Sequence, residues 1–157
     1  MIRACFATAL ATGMSAVATV APAAADDCPD VEVIFARGTG EAPGVGRVGQ
    51  AFIDALVPQL GERTVSTFAV NYPASINFLT TAAGAGDAAG QISNMVGQCP
   101  DSQLVLGGFS QGAAVMAMLA GVPPVGTTIG SIGSAPPLRP DLVEKVSAVA
   151  VFGNPSA

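Results

Sequence analysis

The chain has 157 residues, half of them hydrophobic, which is room for one domain with a packed core and excludes a disordered chain. Six basic residues against eleven acidic give a formal net charge of -5 and a pI of about 4.3. No basic surface is available for a phosphate backbone, so nucleic acid is excluded as a partner.

At the amino end, Met1, Ile2 and Arg3 form a short positive start, residues 4–20 are an apolar run, and Ala23, Ala24 and Ala25 supply the small residues of a signal-peptidase cut. The expectation is a signal peptide over 1–25 and a mature domain over 26–157. Removing Arg3 leaves five basic groups against eleven acidic, a net of -6. The leader is Ala-rich and short for a bilayer. No other segment is apolar enough to span, so no integral membrane span is expected after cleavage. Cys5 leaves with the leader, and Cys28 and Cys99 remain as one pair in an oxidising compartment, where a disulfide between them is expected. Two cysteines without histidine make a poor zinc site, and neither a metal nor a cofactor is expected.

Along the mature chain, apolar runs rich in β-formers alternate with helical patterns. Strands are predicted at 31–37, 65–72, 102–109 and 146–153, and helices near 47–60, near 85–98, at 111–120 and at 141–145. Continuous hydrophobicity in the strands predicts burial on both faces. The fold class is therefore α/β: a three-layer α/β/α sandwich around a mostly parallel sheet. The Gly- and Pro-rich stretch 121–140 reads as a long irregular excursion.

Two stretches carry the chemistry. "LVLGGFSQGAAV", residues 104–115, is a buried-type strand running into strong helix formers, with Ser110 at the junction. That is the layout of a nucleophile elbow, in which serine takes a strained positive φ and Gly108 and Gly112 let strand and helix approach without a Cβ clash. Ser110 would then stand at a helix N-terminus, where partial positive charge favours a developing anion. "FARGTGEAPGVGR", residues 35–47, follows the first strand and so lies at the same carboxyl edge of the sheet. Its glycines allow backbone N–H groups to turn inward toward an anion. It is not a dinucleotide loop, since Pro43 stands where the third glycine of G-x-G-x-x-G belongs, and no lysine makes it a P-loop.

Taken together, "CPDVEVIFARGTGE", "VNYPAS", "CPDSQLVLGGFSQGAAV" and "VAVFGNP" resemble the cutinase family, in its secreted actinobacterial cutinase-like branch. The resemblance covers residues 28–155, with four separated motifs in order. It implies an α/β-hydrolase fold without a large lid, and hydrolysis of carboxylic esters: short to medium acyl esters, lipids or polyesters. It implies Ser110 as the catalytic nucleophile, and an oxyanion hole from the N–H of Gln111 and the N–H, with or without the hydroxyl, of Thr39. Cys28 and Cys99 match the family's first disulfide. A secreted, extracellular monomer with an ester or lipid substrate is the corresponding expectation.

One departure is as informative as the match. In the family a further strand, a cysteine-bracketed aspartate and a histidine follow the "FGNP" segment, whereas this sequence has no histidine and its last residue is Ala157. Lys145, its only lysine, precedes the last predicted strand and belongs at the opposite edge from Ser110. Asn154 belongs at the right edge but cannot act as a base. The expectations are a C-terminally incomplete ester hydrolase or a catalytically inactive relative that binds lipid or a surface partner, with 146–153 left as a hydrophobic edge.

Overall fold

A computed structural model describes residues 28–122 and 133–155. In chain order the elements are β1 (Val31–Ala36), α1 (Gly46–Leu56) continued by a 3-10 turn (Val57–Leu60), β2 (Val65–Ala69), a second 3-10 turn (Phe78–Thr80), α2 (Thr81–Gln98), β3 (Gln103–Phe109), α3 (Gln111–Leu119), the short α4 (Pro140–Val143) and β4 (Val146–Phe152). The strands form one sheet in the order β2-β1-β3-β4, and every neighbouring pair is parallel. The leader at 1–25 and half of the Gly- and Pro-rich stretch, residues 123–132, fall outside the described residues.

The layers follow from period-two alternation in the two central strands. Val31, Val33 and Val105 face α1 and pack around Ile53, with the Phe35 ring tilted against Phe52 at 6.0 Å between ring centres. Ile34, Ala36, Leu104 and Leu106 face the other way, onto α2 and α3. Helix α1 presents Gly49, Phe52, Ile53 and Leu56 at helical spacing, following Val45 at its N-cap, and Gly49 lets it close onto the Phe35 ring. Helix α2 buries Thr81, Gly84, Ala85, Ala88, Ile92 and Met95, a narrow stripe of small side chains. Gly84 brings that stripe against Val115 and Tyr72. The result is the expected three-layer sandwich.

Three expectations are corrected by the structure. Strand β2 ends at Ala69, not 72, where the chain leaves the ladder and Asn71 N–H donates to Asp87 on α2 at 2.8 Å. Helix α2 starts at Thr81, four residues before the predicted 85. Burial on both faces holds for β1 and most of β3, but β2 is half-buried and β4 is mostly exposed, with Val149 at 50% and Val151 at 47%. These two are the outer strands, each paired on one edge only, so the same apolar run is fully covered only when it lies centrally. Lys145 does lie at the amino edge, its Nζ donating to the Pro100 carbonyl at 2.8 Å.

The Cys28–Cys99 disulfide closes the segment before β1 onto the end of α2. On β1, Glu32 is 5% exposed. It accepts from Gln91 Nε2 at 3.0 and 3.1 Å and from Ser66 at 3.4 Å, with no cation opposite among the described residues. Burial raises its pKa from 4.5 despite these donors. A raised carboxyl favours the fold at low pH, and that contribution is lost as pH rises through the folded pKa. Glu32→Gln, which keeps an acceptor for Gln91, is therefore expected to raise the melting temperature by roughly a few degrees at pH 7. The gain should vanish below pH 4.5, as checked by thermal melts at both pH values.

Candidate active site

The chain reverses its winding direction between β1 and β3, which are adjacent at the centre of the sheet while β2 and β4 lie on opposite sides. The loops that leave the carboxyl ends of these two strands face each other across that switch point, where open α/β sheets place ligands. One loop is 37–45 and the other is the single residue Ser110.

Ser110 joins β3 to α3 with φ 51° and ψ −115°, one of two non-glycine residues at positive φ among those described. Such backbone costs of order 1–3 kcal/mol and persists only when the surroundings impose it. Here they do: Ser110 N–H donates to the Phe152 carbonyl at the end of β4 at 2.8 Å, and its own carbonyl accepts from Ala113 at 2.9 Å and Ala114 at 3.2 Å. A Cβ on Gly108 would coincide with the Gly112 carbonyl, and one on Gly112 would coincide with the Ala36 carbonyl of β1.

The facing loop is held by three anchors. Arg37, 5% exposed, donates from Nε to the Glu41 carbonyl at 3.0 Å, from Nη1 to Val70 at 3.3 Å and from Nη2 to Tyr72 at 2.6 Å. Its guanidinium lies 5.2 Å from the Tyr72 ring centre, and the Tyr72 hydroxyl donates back to the Arg37 carbonyl. Burial pushes the Tyr72 hydroxyl up to about 12, so it remains a donor. Glu41 turns back over the loop, accepting from Gly38 N–H at 2.7 Å and from Arg47 N–H in the first turn of α1 at 2.9 Å. Gly40, at φ 77°, donates its N–H to the Ala74 carbonyl at 2.7 Å. The N–H groups of Gly38, Gly40 and Glu41 are all used inside the loop and its supports.

Thr39 is thereby set against α3. Its hydroxyl donates to Gln111 Oε1 at 3.0 Å, so two of the residues singled out from sequence, 72 positions apart, touch. Gln111 is fully buried, and its Nε2 donates to the Thr81 hydroxyl at 3.1 Å. As the first residue of α3, Gln111 has a backbone N–H without an intrahelical acceptor. The arrangement offers a half-buried hydroxyl, a helix N-terminus and a glycine-rich loop, the elements needed to attack a carbonyl and bind the anion that results. Among the described residues no three His, Cys, Asp or Glu side chains converge on a metal site.

Sequence reasoning missed Thr81, Arg37 and Glu41. Arg37 and Glu41 stand within the stretch already singled out, but two of the three carbonyls that hold Arg37 lie more than 30 residues away. Thr81 had a local signal: Asn77, whose side chain accepts from Leu79 N–H, opens the 3-10 turn that leads into α2.

Comparison with known proteins agrees with this geometry. The cutinase family model matches residues 27–157. The chain is 53% identical over 132 residues to the probable carboxylesterase Culp3 of Mycobacterium tuberculosis, covering 84% of this chain and 48% of that protein. It is 47% identical over 137 residues to the phospholipase Culp4 of the same organism, covering 87% and 58%. It thus spans about half the length of the curated relatives it matches. Among solved structures, the catalytic core domain of acetyl xylan esterase from Trichoderma reesei superposes with a TM-score of 0.67 at 31% identity, covering 82% of this chain and 65% of that one. A Trichoderma reesei cutinase in complex with a phosphonate inhibitor gives a TM-score of 0.63 at 34% identity, covering 83% and 54%. By sequence and by fold, the chain belongs to the cutinase family.

Proposed function

We propose that this chain carries the nucleophile and oxyanion-binding side of a secreted, monomeric carboxylic ester hydrolase. Ser110 Oγ attacks the ester carbonyl, the alcohol leaves, and the acyl group stays on Ser110 until water releases it. The N–H groups of Thr39 and Gln111 stabilise the tetrahedral oxyanion. The observation that carries this reading is the positive φ of Ser110 at the β3–α3 junction, next to Gln111, which Thr39 meets across the switch point. Short to medium acyl esters, lipids or polyesters are the proposed substrates. Exposed Ile76 and Leu79 support an apolar acyl group, since they lie between Ala74 and Thr81, both bonded to the site. Among the described residues no helix is long and apolar enough to cross a membrane.

A second reading takes these 157 residues by themselves, among which no histidine is present to take the Ser110 proton. Under it the chain is a catalytically inactive family member that binds lipid or a surface partner. Imidazole supplied in solution separates the two. The first reading expects hydrolysis of 4-nitrophenyl butyrate to rise with imidazole, beyond the imidazole background, in wild type and not in Ser110→Ala. Equal rates in the two proteins would overturn it in favour of the second.

A further inference from the structure

Thr81 stands at the first position of α2, fully buried, and its hydroxyl has a single proton. That proton goes to the Phe78 carbonyl at 2.6 Å, an oxygen that also accepts the Thr81 backbone N–H closing the turn before the helix. Toward Gln111 the Thr81 oxygen can then only accept. With the amide turned the other way, Gln111 Oε1 would face a lone pair of the Thr81 oxygen unless that hydroxyl gave up its bond to the Phe78 carbonyl. The amide therefore presents Nε2 to Thr81 at 3.1 Å and Oε1 to Thr39. An amide oxygen only accepts, so the Thr39 hydroxyl must donate to it, as it does at 3.0 Å.

We infer that Thr81 is a positioning residue that sets the polarity of a one-way relay, Thr39 hydroxyl to Gln111 amide to Thr81 hydroxyl to Phe78 carbonyl. This rests on the proposed roles of Thr39 and Gln111 and adds to them. In the resting protein the Thr39 hydroxyl proton is committed to Gln111, and Thr39 offers an incoming oxyanion its backbone N–H. The same relay fastens the first residue of α3 to loop 37–45 and to the start of α2, which fixes the Gln111 N–H relative to that of Thr39. Without the Thr81 acceptor, the amide is free to reverse, donate to Thr39 and release the Thr39 proton toward the oxyanion position.

Amide polarity can be read by NMR on the 157-residue protein. In wild type the Gln111 side-chain NH2 protons should show NOEs to Thr81 and none to Thr39. In Thr81→Val those contacts should transfer to Thr39 with a shift of the NH2 resonances, and Thr81→Ser, which restores the hydroxyl, should return the wild-type pattern. Thr81→Ala gives the same reading if the valine variant does not fold. Wild-type NOEs from the NH2 group to Thr39, or an unchanged pattern in a folded Thr81→Val or Thr81→Ala protein, would overturn the inference. None of these outcomes bears on whether Ser110 reacts, so the relay and the esterase reading fail separately.

Discussion

Gly112→Ala is expected to destabilise the protein by about 3 kcal/mol or more, at the upper end of what an added methyl group costs in a packed interior. The new Cβ would coincide with the Ala36 carbonyl and lie 2.7 Å from the Arg37 carbonyl. Both are main-chain atoms at the end of β1, a strand paired on either side, so neither can move aside as a flexible side chain would. A melting temperature lower by roughly 10–20 °C is the expected reading. Gly90→Ala is the matched control: it lies within α2 with no atom within 4 Å of the added methyl, and alanine is the better helix former. It should be neutral or slightly stabilising. Similar small effects at both positions would show that strand and helix do not meet at the elbow as described.

The second large effect is expected at the disulfide. Cys28 and Cys99 are 71 residues apart in sequence, and their bond spans β1, α1, β2 and α2. In the chain-entropy model a loop of that length stabilises by about 4 kcal/mol. The Cys28→Ser, Cys99→Ser double variant should lose about that much in urea denaturation, and reducing agent should do the same to wild type. A loss below about 1 kcal/mol would mean that the unfolded chain is little constrained by the bond.

The elbow was legible because its mechanics are local: a glycine two residues either side of Ser110 is a steric requirement that shows in five consecutive letters. The disulfide was legible from parity and from the resemblance. The meeting of Thr39 with Gln111 was within reach because both strands end at one edge, and the resemblance named the pair. Other features depend on tertiary partners that no local pattern contains. "VSAVAVF" reads the same whether it is buried or, as in β4, half open to solvent. Arg37 reads as a charged residue in a glycine-rich loop, yet it is buried because carbonyls of Val70 and Tyr72, from the end of β2 onward, converge on it. Thr81 was hidden by misplacing the start of α2: small residues such as Ala82, Ala83 and Gly84 make a weak hydrophobic pattern, and the helix there is stabilised by close packing.

That Ser110 is the reactive nucleophile is tested most directly by treating the purified protein with a fluorophosphonate in the presence of imidazole and locating the adduct by mass spectrometry. The account predicts a single phosphonyl group on Ser110, formed faster as imidazole is raised and absent from Ser110→Ala. No adduct at any imidazole concentration, or an adduct on another residue that persists in Ser110→Ala, would contradict it.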